Sequence, residues 1–165
     1  MESLSKSLYE YGELLKETDL QKAYKSLMQY IKELRRYFKE KYPEYDVSAN
    51  LYPGYLDLTF FTITSKLAQQ NQLKYAVVFR HDKMQFEVWL SGRNRAVMSE
   101  YHRKFTGHIM NKHSLTADDK GMSSIIETIV VEKPDFDNMT ELTNQIDLGV
   151  ISFIQEVENT FLTDE

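Results

Sequence analysis

Leu73–Phe105 reads LKYAVVFRHDKMQFEVWLSGRNRAVMSEYHRKF, and its two halves follow different periods. Tyr75 to Phe79 is an apolar run rich in residues that favour strands, and His81-Asp82-Lys83 is a polar turn. From Gln85 to Ser91 the residues alternate, with Phe86, Val88 and Leu90 on one face and Gln85, Glu87, Trp89 and Ser91 on the other. Gly92 breaks that period. Asn94 stands where a helix N-cap belongs, Val97, Met98, Tyr101 and Phe105 follow at helical spacing, and Gly107 suits the exit. The stretch is a hairpin feeding a helix.

Before it, Leu4, Leu8, Tyr11 and Leu15 mark an amphipathic helix over roughly Ser3 to Lys16. Leu20, Ala23, Leu27, Ile31, Leu34 and Phe38 mark a second helix to about Lys41, ended by Pro43. The basic residues from Lys32 to Lys41 are interleaved with Glu33 and Glu40, as on a solvated helix face. Pro53-Gly54 marks a turn, and Tyr55 to Thr64 reads as a first strand, apolar on both phases except for Asp57 and therefore central. SKLAQQNQ after it is a polar connection or a single helical turn.

Beyond the stretch, His108 to Met122 has no period and reads as a long surface loop, a kind of segment more often functional than passive. Ser124 to Val131 is a fourth strand. Met139, Leu142, Ile146, Val150, Phe153, Val157 and Phe161 trace a long C-terminal helix, in which Gly149 points to close packing. The expected architecture is one α+β domain over residues 1–165, in the order α-α-β-β-β-α-β-α. The N-terminal helices cover 3–41, the sheet and helix core 51–131, and the last helix 138–162. A mixed or antiparallel sheet of about four strands is packed by the second and last helices.

Composition narrows the function. With 165 residues, 42% of them hydrophobic, the chain is long enough for its own core. A net charge of −5 argues against a sequence-independent grip on nucleic acid. The absence of cysteine removes disulfides, thiolate catalysis and Cys-ligated zinc. With no apolar segment of membrane-spanning length and an N-terminus unlike a signal peptide, a cytoplasmic protein is expected. There is no phosphate loop and no nucleophile elbow, and His102, His108 and His113 lack the spacing of a metal site.

Two clusters remain. Trp89, Arg93, Asn94 and Arg95, with His102 about two turns later, bring an indole and two guanidinium groups to a strand end and a helix start, where an anion or a protein partner would be met. Asp57 and Glu87 are a pair of strand carboxylates. The order helix, three strands, helix, strand resembles the core of the PD-(D/E)XK nuclease fold, whose acids hold a divalent metal that activates water. Here Trp89 occupies the lysine position of Glu-x-Lys, and Asp57 lies on the first strand where that fold places it on the second.

The pieces Lys41-Tyr42-Pro43-Glu44-Tyr45, Gly54-Tyr55-Leu56-Asp57, Phe86-Glu87-Val88-Trp89-Leu90-Ser91-Gly92-Arg93-Asn94, Ser124-Ile125-Ile126-Glu127 and Pro134-Asp135-Phe136 span nearly the whole chain. In them the sequence resembles a family of bacterial proteins, found mainly in Firmicutes, that share a domain of unknown function. The resemblance implies a small stand-alone cytoplasmic protein and carries over no catalytic residues. The leading expectation is thus a non-catalytic binding or interaction module, leaning away from an enzyme and without a cofactor. Its surface would be Trp89 to Arg95 and its partner a protein or a small anionic ligand; a homodimer stays open, and neither membrane nor nucleic acid is expected. The rival is a metal-dependent nuclease using Asp57 and Glu87.

Overall fold

The computed structural model of the chain describes residues 3–106, 114–115 and 124–163. Its elements run α1 (Leu4–Glu17), α2 (Leu20–Lys41), β1 (Asp46–Val47), β2 (Leu58–Thr64), α3 (Lys66–Gln70), β3 (Leu73–Arg80), β4 (Gln85–Gly92), α4 (Arg95–Phe105), β5 (Ser114–Leu115), β6 (Ile126–Val131) and α5 (Met139–Val157), which widens into a π-helical turn at Glu158–Leu162. The fold is α+β. The sheet order is β1-β2-β3-β4-β6-β5 and every pairing is antiparallel. The four long strands are those expected from the sequence, and two-residue strands finish the two edges.

The alternation in the hairpin sets the layers. Phe61 and Ile63 of β2, Tyr75, Val77 and Phe79 of β3, and Phe86, Val88 and Leu90 of β4 turn one face into a single apolar core with the helices. Onto it α2 lays Tyr30, Ile31, Leu34 and Phe38, and α5 lays Leu142, Ile146, Val150, Phe153 and Val157. These are the stripes that the 3- and 4-residue spacing marks out, each large side chain contributing about 1.5–3 kcal/mol on burial. Gly149 allows α5 to close on β6, since a Cβ there would stand 2.5 Å from Val130 Cγ1. The other sheet face carries a smaller cluster of Ala76, Val78 and Trp89 with Leu58 and Phe60.

Caps follow the sequence. Asn94 Oδ1 accepts from Val97 N at 2.9 Å, and Ser65 Oγ accepts from Ala68 N at 3.0 Å, which starts α3 in the expected polar connection. Gly107 and most of the expected long loop lie outside the described residues, apart from β5.

One expectation changes, and one apolar stripe is left bare. The first strand is shorter, starting at Leu58, and it is not central: β2 is second from the edge, with Leu58, Phe60, Thr62 and Thr64 only half-buried. Its apolar residues on both phases reflect two unequal apolar clusters. The apolar stripe of α1 also meets no sheet, for none of its side chains is buried and Leu4 is 73% exposed. A hydrophobic period fixes which side of a helix is apolar, while whatever covers that side depends on where the chain leaves its neighbour.

Candidate binding site

The concavity best suited to a ligand lies at the start of α2. It holds about 490 Å³, and its walls are almost wholly apolar. Leu20, Ala23, Tyr24 and Leu27 line one side over two turns of α2, a run of about 10 Å. The buried Phe79, with Phe136 and Met139, completes the lining, and the exposed Leu56 and Met84 stand at its mouth. Phe136 is itself fixed by ring contacts to Tyr30 at 5.7 Å and to Phe86 at 6.1 Å.

Two turns of chain shape that mouth, and both hold side chains in a backbone region that disfavours them. Leu56 has φ 64° and Met84 has φ 51°, left-handed values usual for Gly or Asn and costing on the order of 1 kcal/mol or more elsewhere. The first turn is held by Gly54, at φ 71°, and by Asp57, whose Oδ1 accepts from Tyr55 N at 2.8 Å. The hairpin is tied to it by His81 N donating to Asp57 O at 2.9 Å. Bonds from the backbone amides of Tyr55 and Leu58 hold the Asp57 carboxyl below its ordinary range.

One polar ring looks into this apolar hollow. Thr59 Oγ1 donates its only proton to Pro53 O at 2.7 Å, so the 2.8 Å contact between Thr59 Oγ1 and His81 Nε2 must be a bond from the ring N–H. Nδ1 is then the unprotonated nitrogen of the neutral ring, and it has no hydrogen-bond partner among the described residues. Burial lowers the pKa of His81, against the opposing pull of Asp57 and Asp82. The pocket therefore offers largely apolar walls with a few polar groups, the His81 ring and the hydroxyls of Tyr24 and Ser26.

The residues singled out from sequence lie outside the lining of this groove. Trp89 and Asp57 share a different hollow of about 460 Å³ with Leu56, Leu58, Arg80, Asp82 and Glu127. Glu87 is only 3% exposed, not on a wet face, and its carboxylate is occupied. It accepts from Trp89 Nε1 at 2.8 Å and from Gln85 Nε2, with Arg80 Nη1 at 3.6 Å. Arg80 also reaches Asp82 at 3.3 Å and leaves its buried Nε unpartnered. Among the described residues no three His, Asp or Glu groups gather as a metal site would require. Arg93 is exposed with its N–H bonded to Gln72 O, Asn94 is spent as the α4 cap, Arg95 bonds to Ser99 Oγ, and His102 sits half-buried in the last turn of α4. None of these four lines the hollow that holds Trp89.

A further cluster had no sequence signal beyond a charge inside an apolar stripe. Asp147 of α5 is buried and accepts from Tyr37 OH, Tyr42 OH and Lys41 Nζ of α2 and its C-cap at 2.5, 2.5 and 2.6 Å. Burial pushes its carboxyl up, yet the bonds from Lys41, Tyr37 and Tyr42 outweigh this and hold it below the ordinary carboxylate range. Tyr42 is pushed up to about 12, by burial first and by its bond to Asp147 second. With every oxygen engaged, the cluster is a polar staple between α2 and α5.

The fold and both hollows describe a small α+β domain without a catalytic constellation among its described residues. The chain belongs to the family of the domain of unknown function DUF7000, whose model matches residues 4–161. No curated protein and no solved structure gives a significant match. No helix among the described residues is long and apolar enough to cross a membrane.

Proposed function

We propose that the protein is a non-catalytic interaction module, acting in the cytoplasm, whose working surface is the apolar groove at the start of α2. The occupant that fits is the apolar face of a helix from a protein partner, carrying one hydrogen-bond donor for His81 Nδ1. The observation that carries this reading is an apolar groove two helical turns long with the His81 ring in its lining. Such grooves take amphipathic helices through side chains at 3- and 4-residue spacing. The strained backbone at Leu56 and Met84 supports it, because both residues spend conformational energy to hold apolar side chains at the mouth.

The test is fluorescence titration of dilute protein with the apolar dye anilinonaphthalene sulfonate, whose N–H can serve His81. Wild type is expected to enhance the dye at one site. Ala23→Trp, which fills the groove from an exposed position on α2, is expected to abolish that enhancement and to move the thermal midpoint by less than about 3 °C. Equal dye binding by both proteins would overturn the reading.

A further inference from the structure

Most of the large apolar side chains left exposed fall in two places on this one chain. Leu4, Leu8, Tyr11 and Leu15 form a stripe along α1, and Leu20, Leu56, Met84 and Met139 ring the groove. The second surface begins where the first ends, since only Thr18 and Asp19 separate the two helices. That link is fixed. Thr18 bonds through both N and Oγ1 to Leu14 O, Leu20 N bonds to Thr18 Oγ1, and Ala23 N bonds to Asp19 O. In this arrangement α1 leaves α2 in a set direction, with its own stripe bare and its own groove unfilled.

We propose that α1 of one copy lies in the groove of a second copy, whose own α1 fills the groove of the first, giving a two-fold dimer by helix exchange. This rests on the groove being a helix-binding surface and names the helix. Chemistry is compatible, for Tyr11 is the one member of the stripe with a side-chain donor and His81 Nδ1 is an acceptor among the groove's lining residues. Length matches too. Leu4 to Leu15 spans about 16 Å, enough to cover the two turns of α2 that wall the groove.

The area is also sufficient. Taking each stripe side chain at on the order of 100 Å², with less than half that total covered on the groove and both doubled by symmetry, the dimer removes roughly 1,100 Å² from water, just above what a specific interface needs. Gly12 fits this placement. It lies beside the stripe in mid-helix, and no atom comes within 4 Å of the place its Cβ would take, so nothing in the single chain calls for it. Against a partner helix it would allow close approach.

Sedimentation equilibrium tests the exchange on the full chain. Wild type is expected at twice the 19.5 kDa chain mass. Leu8→Glu/Tyr11→Glu spoils the stripe without touching any buried residue, and Ala23→Trp fills the groove; each variant alone is expected to be monomeric. Mixed in equal amounts they are expected to form dimers again, because one intact stripe then meets one intact groove. Tyr11→Phe, which keeps the ring and loses the donor, should weaken the dimer by about thirty-fold, since the two-fold symmetry removes two ordinary hydrogen bonds at once.

A wild type that stays monomeric at all concentrations would overturn the exchange, as would a dimer surviving in either variant. The dye separates the two readings. Dye enhancement lost in Ala23→Trp, with wild type monomeric throughout, would leave the groove standing and remove the exchange. Absence of a groove-dependent dye signal even from the Leu8→Glu/Tyr11→Glu chain would remove both.

Discussion

Helices α1 and α2 are written in the same code and end in opposite circumstances. Both carry an apolar stripe at 3- and 4-residue spacing with charges on the other side. From Ile31 to Phe38 the stripe of α2 disappears into the core, and its flanks are stapled as well. Tyr30 OH meets Thr143 Oγ1 at 2.9 Å, Arg35 donates to Ser48 O at 2.9 Å, and the end of the helix is held by Asp147. None of this reaches α1. Amphipathicity therefore commits a helix to burying one face, while the identity of the cover is decided by the rest of the chain or by another molecule.

The widest gap between the two helices should appear on truncating matched leucines. Leu34→Ala on α2 empties a fully buried site and is expected to cost about 3–4 kcal/mol in urea unfolding. Leu8→Ala on α1, measured on dilute protein, is expected to change stability by less than about 0.5 kcal/mol. Similar losses at the two positions would end the comparison.

Removing the staple gives the next effect. Asp147→Asn keeps the shape of the side chain and withdraws its charge from Lys41, Tyr37 and Tyr42, for an expected loss of about 2–3 kcal/mol. The pH dependence has a definite sign. Because the folded carboxyl lies below its unfolded value, its contribution is present above about pH 4 and fades as the pH falls through the folded value. Melting curves taken across the acid range should show a limb in wild type that is flatter in the variant.

Smaller still is Gly149→Ala. Helix propensity alone would favour alanine by about 1 kcal/mol, but the new methyl meets Val130 Cγ1 at 2.5 Å. A net loss of about 1 kcal/mol is expected, and a gain would mean that β6 yields to α5. The smallest shift should come from Met84→Gly, which relaxes a left-handed residue at the groove mouth. Stability should rise by up to about 1 kcal/mol while dye affinity falls, and unaltered dye affinity would show that the strained methionine serves the hairpin alone.

Most of the frame was legible in the sequence because it depends on period. The alternation from Gln85 to Ser91, the stripe from Leu20 to Phe38 and the cap at Asn94 are local patterns with local causes. The close approach announced by Gly149 is likewise a single-residue signal. The groove was not legible, since its walls come from α2, the turn at 53–57, the hairpin and the segment around Phe136, which only the finished fold brings together. His81 looked like an isolated turn residue, and its role depends on Thr59 spending its proton on Pro53. Leu56 and Met84 carry no mark of a left-handed backbone, since Gly or Asn would be the usual signal there. The two edge strands are too short for any period to form.

Those short edges have a consequence for how the protein behaves when crowded. An open sheet invites a neighbouring chain to add a strand through the unpaired amides and carbonyls along its border. Along β2 that border is already taken up, by Ser48 N on Thr62 O and by the reciprocal pair of bonds between Tyr52 and Phe60. Thr62 N is met by the hydroxyl of Ser48, a side-chain bond that offers no template for a further strand. On this side, growth of cross-β fibrils from the native state would first require the segment from Asp46 to Tyr52 to peel away, so the rate of fibril formation should track local unfolding of that border.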